Sequence, residues 1–164
     1  ATNELSYGER ITRAAVAGVA LWVVVTPVAA EVAATRARAL WSLGEGGRAA
    51  YWFEVARRIE QKDWRYHWYA GQFWYVQAQA SGKPAAAQLA DESFRAGFAA
   101  NPREIGNLLW LISTHVHLRA MLAAPADKAT LENWGRRAFS LAPLDAGVKA
   151  QRELISKFEA KEQG

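Results

Sequence analysis

Three histidines, His67, His115 and His117, are the side chains best suited to metal binding or proton transfer near neutral pH. His115 and His117 are spaced i,i+2, which on a helix sets the two rings about 200° apart and keeps them from sharing a metal ion. The run around them, "IGNLLWLISTHVHLRAML", is too long and too helical in pattern for a strand that would bring them together. The three rings are expected to be internally satisfied or solvated. Among the carboxylates, neither Asp91–Glu92 nor Glu153 nor Glu159 has a second carboxylate in an apolar setting, which acid–base work at a shifted pKa requires. Glu153 and Lys157 read as an i,i+4 surface pair. The chain has no Cys, which excludes disulfides, thiolate catalysis and Cys-ligated zinc. "GEGGRA", Gly44–Ala49, fits G-x-G-x-x-A in letters, but no strand precedes it, so it reads as a turn between helices. Walker, H-E-x-x-H and G-x-S-x-G patterns are absent. No catalytic, cofactor-binding or metal-ligating residue is expected in this chain.

The elements that carry these residues are helical. Of 164 residues 51% are hydrophobic, with many Ala and few β-branched runs, and Ala loses no side-chain entropy in a helix. The length suffices for one domain with a sizeable core. The net charge is +4, but 20 basic and 16 acidic residues are interspersed, leaving no single-sign stripe for a phosphate backbone. A nucleic-acid partner is not expected.

A repeat of 41 residues runs through the chain. "RAAYWFEVARRIEQ", "LADESFRAGFAANP" and "TLENWGRRAFSLAP" start at positions 48, 89 and 130, 41 residues apart each time. In register, Ala49, Ala90 and Leu131 match, as do Phe53, Phe94 and Gly135 (with Trp134 beside it). Ala56, Gly97 and Ala138 match, and then Ile59, Ala100 and Leu141. Small residues seven apart share one helical stripe and let a neighbouring helix approach, while the aromatic between them fills the space beside the contact. Pro102 and Pro143 close the second and third segments; the first has Gln61. The predicted helices run to about 43, then 47–61, 65–80, 84–100, 104–122, 127–141 and 145–161. Breaks fall at "GEGG", "SGKP", "NP", "APAD" and "APLD". Asp145 is the expected N-cap of a last helix with Val148, Leu154, Ile155 and Phe158 on one face, the polar-backed cap that a stack of repeats needs.

The small–aromatic–small–Pro order in "ADESFRAGFAANP" and "NWGRRAFSLAP" resembles the second helix of a tetratricopeptide repeat, a helix–turn–helix unit of 34 residues. "HWYAGQFWYVQA" is similar to the first helix of that unit, and "IGNLLWLISTHVHLRA" only loosely so. The resemblance covers residues 31–164 and implies an all-α, tetratricopeptide-like helical-repeat solenoid that binds a protein or peptide partner. It also implies a groove lined by first helices. The residues expected there are His67, Trp74 and Gln77, which fall outside two apolar stripes (Trp64, Trp68, Gly71, Tyr75 and Tyr66, Tyr69, Phe73, Val76). Trp110, Thr114 and His117 are expected on the next first helix.

Before the repeats lies "AAVAGVALWVVVTPVAA", residues 14–30, without a charge. As a helix it is about 25 Å long, near the lower limit for a membrane span. A membrane helix, a cleaved signal peptide ending at "VAA" and a buried core helix all fit the run. The expectation carried forward is a transmembrane helix after a polar flank at 1–13. An apolar helix running straight into "ARAL", a Gly turn, "FEVARRIEQKDWRYHWYAGQ" and then "NP" resembles the C-terminal tail of bacterial O-antigen ligase/polymerase-type membrane proteins, including pilin-glycosylation ligases. That resemblance implies a non-catalytic scaffold at the bacterial inner membrane, facing the periplasm, that positions a partner or a glycan or glycoprotein acceptor. Any ligase chemistry would lie in membrane segments outside this sequence. The alternative is a stand-alone structural or assembly subunit of a membrane complex.

Overall fold

A computed structural model describes residues 7–162. They form α1 (Tyr7–Ser42), α2 (Gly46–Ile59), α3 (Trp64–Ser81), α4 (Pro84–Ala100), α5 (Ile105–His117), a 3-10 turn at Arg119–Met121, α6 (Lys128–Leu141) and α7 (Ala146–Glu162). Among the described residues there is no strand. Local chemistry sets the ends. Side chains of Asp63, Glu104, Asp127 and Asp145 accept from the first free amides of α3, α5, α6 and α7. Pro84 opens α4, where its missing N–H costs nothing. Gly82 closes α3 at φ 64°, a left-handed conformation that L side chains rarely adopt.

The helices pair as three antiparallel hairpins, α1–α2, α3–α4 and α5–α6, with α7 closing the stack. The repeat register is visible in the packing. Ala49, Ala90 and Leu131 are buried, and so are Phe53, Phe94 and Gly135, and Ala56, Gly97 and Ala138. The fourth row departs from expectation: Ile59 is half-buried, while Ala100 and Leu141 are exposed because the last turn of each helix emerges from the stack. In the third hairpin Gly135 leaves the aromatic's place open, and Ile155 of α7 moves in: a Cβ on Gly135 would lie 2.9 Å from its Cδ1. Val148 and Ile155 are buried and Leu154 is half-buried; the side chain of Phe158 lies outside the described residues. The start of the 1–13 flank, residues 1–6, also lies outside them.

A repeat of 41 rather than 34 residues leaves seven to place, about two helical turns. In the middle hairpin the length is in the helices, 18 residues in α3 and 17 in α4, joined through Gly82–Lys83. The third hairpin differs, and it corrects the expected helix at 104–122: α5 stops at His117. Arg119 donates to the Ala126 carbonyl (2.6 Å) and the Ala126 amide donates to His115 Nδ1 (2.8 Å), folding the connection back so that Leu118, Leu122 and Ala126 are buried.

α1 is continuous through Pro27. Its C-terminal part buries Ala30, Ala33, Ala34, Ala37 and Leu40 and serves as the first helix of the first hairpin. Its earlier part exposes Val16, Val19, Trp22, Val23, Val24, Val25 and Val28. The helix is long and apolar enough to cross a membrane by length and composition, and only 6% of its most apolar 18-residue stretch is buried. It is not a core helix of this chain.

Close approach makes two glycines unequal. A Cβ on Gly97 would lie 2.3 Å from Oδ1 of Asn107, whose side chain is wholly buried, whereas a Cβ on Gly47 meets nothing within 4 Å. Chemical denaturation is expected to show Gly97→Ala destabilised by about 1–3 kcal/mol. Gly47→Ala is expected to be neutral or stabilised by up to about 1 kcal/mol.

Candidate binding face

α3 touches four other helices, and the contacts assign its faces. Tyr66 and Tyr69 turn to α1, where Tyr66 donates to Glu31 (3.3 Å) and Arg38 lies 4.7 Å above the Tyr69 ring. Phe73 packs on Phe53 of α2 at 5.3 Å and on Trp41 of α1 at 5.5 Å. Gly71 lies beneath Phe94 of α4. Trp68 covers Gly106 of α5, and Tyr75 meets Trp110 edge-on at 5.1 Å. At 100° per residue one arc remains, opposite α2 and α4, and it carries Arg65, Gln72, Val76 and Gln79. Arg65, Val76 and Gln79 are exposed and Gln72 is half-buried. On α5 the corresponding arc carries Trp110, half-buried and stacked on Phe94, and the exposed His117. Ser113 beside them accepts from Gln151 of α7 (2.6 Å). On α1 the face continues as Thr35 and Arg38, with Arg38 bonded to Thr35 (3.1 Å), Glu31 (3.1 Å) and the Tyr69 hydroxyl (3.4 Å). Burial, and then Glu31, push the Tyr66 hydroxyl up to about 12. It stays a donor in this network.

The six residues expected in a groove are divided by this geometry. Trp110 and His117 lie on the open arc. His67 and Thr114 do not: both are buried, and the Thr114 hydroxyl is spent on the Trp110 carbonyl (2.8 Å). Trp74 is half-buried against Phe73 at 4.9 Å, and Gln77 is half-buried beside Gly46 of α2. Val76, assigned from sequence to a buried stripe, is exposed. The reason is that α3 has four neighbours rather than two, which turns its free arc to the other side. Arg65, Gln72 and Gln79 were missed, although their i,i+7 polar spacing was a readable signal.

Two buried polar centres lie behind this face. In one, His67 Nε2–H donates to the Gln61 carbonyl (2.8 Å), while Nδ1 is buried without a partner. Burial, only partly offset by that carbonyl, holds the His67 ring below the usual histidine range. In the other, Asp91 of α4 accepts from His115 Nε2 (2.7 Å) and from Arg95 Nε (2.9 Å). The Ala126 amide occupies His115 Nδ1, so the ring carries its proton on Nε2. This Asp–His pair lacks a free ring nitrogen and is wholly buried at the His, so it ties α4, α5 and the 118–127 connection together rather than presenting a base. Burial alone would raise the Asp91 carboxyl, but the His115 and Arg95 hydrogen bonds and the Arg95 charge bring it below the usual value. Trp134 packs on His115 at 5.2 Å, with Arg95 5.5 Å above its ring. Among the described residues no group of three or more His, Asp or Glu side chains is placed to hold a metal.

No family model matches the chain, and no curated protein matches it. Among solved structures the chain is similar to the Arabidopsis OM64 TPR domain, with a TM-score of 0.63 and 13% identity over 80% of this chain and 98% of that one. The fold is therefore an all-α, tetratricopeptide-like helical-repeat solenoid with one apolar N-terminal helix.

Acid should unfold the protein in two stages, and the signs follow from the two centres. His67 is held neutral, so below about pH 6.5 the unfolded chain takes up a proton that the native state refuses, and stability declines as pH falls. Asp91 is held ionised, so its contribution is complete above about pH 4 and is lost as pH falls through its lowered native value. Melting temperature against pH should show both declines, His67→Gln removing the first and Asp91→Asn the second. A wild-type curve flat down to about pH 4 would contradict the buried, neutral His67.

Proposed function

We propose that this chain is a non-catalytic, protein-interaction module held at a membrane by α1. A partner polypeptide lies along the face formed by α1, α3 and α5. The observation that carries this reading is the free arc of α3, Arg65, Gln72, Val76 and Gln79, running into Trp110 and His117 of α5. That arc alternates amide, cationic and apolar groups beside half-buried aromatic rings. Amide side chains suit the unpaired backbone groups of an extended peptide, and the Trp faces suit its side chains. The tetratricopeptide-like fold adds weight, since stacked hairpins leave their first helices to form a continuous face.

The finer reading rests on the order of segments in the sequence. An apolar helix followed directly by a repeat domain supports a tail of an O-antigen ligase/polymerase-type protein at a bacterial inner membrane. There the face, turned to the periplasm, would position a partner or a glycoprotein acceptor. The proposed division is residues 14–30 for the span and 31–164 for the repeat domain, after the 1–13 flank.

A photo-crosslinking amino acid at Gln72 or His117 is expected to capture one partner in cells of the source organism. The same group at Lys149, exposed on α7, is expected to capture none. Val76→Glu, at an exposed position, should reduce capture from Gln72 about tenfold without lowering the melting temperature, the size of effect for a contact worth ~1.4 kcal/mol. Equal capture from Lys149, or capture indifferent to Val76→Glu, would count against this face.

A further inference from the structure

α2 runs antiparallel to α1 and ends at the height of Ala30, so the turn between α2 and α3 lies beside the apolar part of α1. Two clefts separate them. One, of about 510 Å³, is lined by Trp22, Val23, Thr26 and Pro27 on α1 and by Arg58, Ile59 and Lys62 among others opposite. The second, of about 390 Å³, lies between Pro27 and the residues Glu60 to Arg65, Trp64 included. Each cleft has an apolar wall on α1 and a charged wall on the turn. Arg58 is engaged by Glu54 (2.9 Å) and Arg65 by Asp63 (3.0 Å). Glu60 and Asp63 also stand on the turn. Lys62 faces both clefts, is exposed, and is given no ion pair.

The height of this turn has a consequence for the span. Pro27 and Trp22 stand three and eight residues before Ala30, or about 5 and 12 Å along the axis. The apolar run is about 25 Å long against roughly 30 Å of hydrocarbon, with headgroup layers of about 5–8 Å on either side. A short span draws its flanks inward. A bilayer that covers residues 14–30 therefore brings the α2–α3 turn down into the headgroups. Trp22, 69% exposed, and Trp64 stand where amphipathic rings favour the interface. Lys62 and Arg58 have long stems that keep their charges among the phosphates.

We infer that the α2–α3 turn is a phospholipid-binding elbow, in which Lys62 holds a lipid phosphate in the cleft against Trp22–Pro27. It rests on the reading of α1 as a membrane span. The elbow fixes the height and tilt of the repeat stack over the bilayer, which a single helix alone would leave free to swivel.

The full chain has no Cys, so single-cysteine variants carry one nitroxide each. Labels at Val19, Gln61 and Lys83 are compared in vesicles of phosphatidylcholine with phosphatidylglycerol, by collision with oxygen and with a water-soluble nickel chelate. The label at Val19 is expected deep in lipid, the label at Gln61 at headgroup depth and the label at Lys83 in water. Lys62→Glu should shift the Gln61 label to the value found at Lys83. It should also lower the phospholipid retained by the detergent-purified protein about fivefold per charge removed, the effect of ~1 kcal/mol per basic residue at a lipid surface. Helix content and melting should be unchanged by Lys62→Glu, because the side chain supports no contact in the fold. A Gln61 label as water-exposed as Lys83, with Val19 still in lipid, overturns the elbow alone. A Val19 label in water overturns the span and the elbow together.

Discussion

Gly71 has room for a hydrogen and nothing larger: a Cβ there would lie 2.5 Å from Cε1 of Phe94. That contact sets the spacing of the middle hairpin, and the rest of the stack is arranged around it. With α3 and α4 this close, Phe94 is wholly buried and stacks on Trp110 of α5, which brings the third hairpin up against the second. Tyr75, one turn along α3, meets the same Trp110. On the other side Phe73 is wedged between Phe53 and Trp41 and joins the first hairpin to the second. No hairpin buries its apolar surface by itself, so each aromatic is shared between units.

The parts of this arrangement that were legible in the sequence were those set by local periodicity. Small residues seven apart, the aromatic between them and the terminating Pro marked three second helices, and three of their four matched rows are buried together. Capping residues such as Asp127 and Asp145 marked helix starts because a carboxylate three residues before a free amide has a local role. What could not be read depended on neighbours distant in sequence. The end of α5 at His117 follows from His115 and Arg119 gripping Ala126, a tertiary contact that no window of α5 encodes. The binding arc of α3 was misplaced for the same reason. A first helix in a stack loses faces to four partners, and counting apolar stripes reveals only two of them.

Polar groups in the interior serve cohesion. Asp91, His115 and Arg95 link two helices and a loop through charge-assisted hydrogen bonds. Arg57 reaches from α2 to Ser93 on α4 (3.0 Å) and joins adjacent second helices. The chemistry that remains accessible is on the surface: amides, cations and ring edges along α1, α3 and α5, and a basic turn beside an apolar helix. Both features suit binding rather than bond making. Because α1 is one helix from its exposed valines to its buried alanines, the apolar segment and the first hairpin move as one rigid piece.

The contact between Gly71 and Phe94 can be tested most directly by a double-mutant cycle measured with chemical denaturation. Gly71→Ala alone is expected to cost about 1–3 kcal/mol, since the methyl group must displace a buried ring. In a Phe94→Leu background, where that ring is gone, the same change should cost less than about 0.5 kcal/mol, a coupling of about 1 kcal/mol or more. Costs that simply add would mean that Gly71 and Phe94 do not meet, and the packing of the middle hairpin described above would be contradicted.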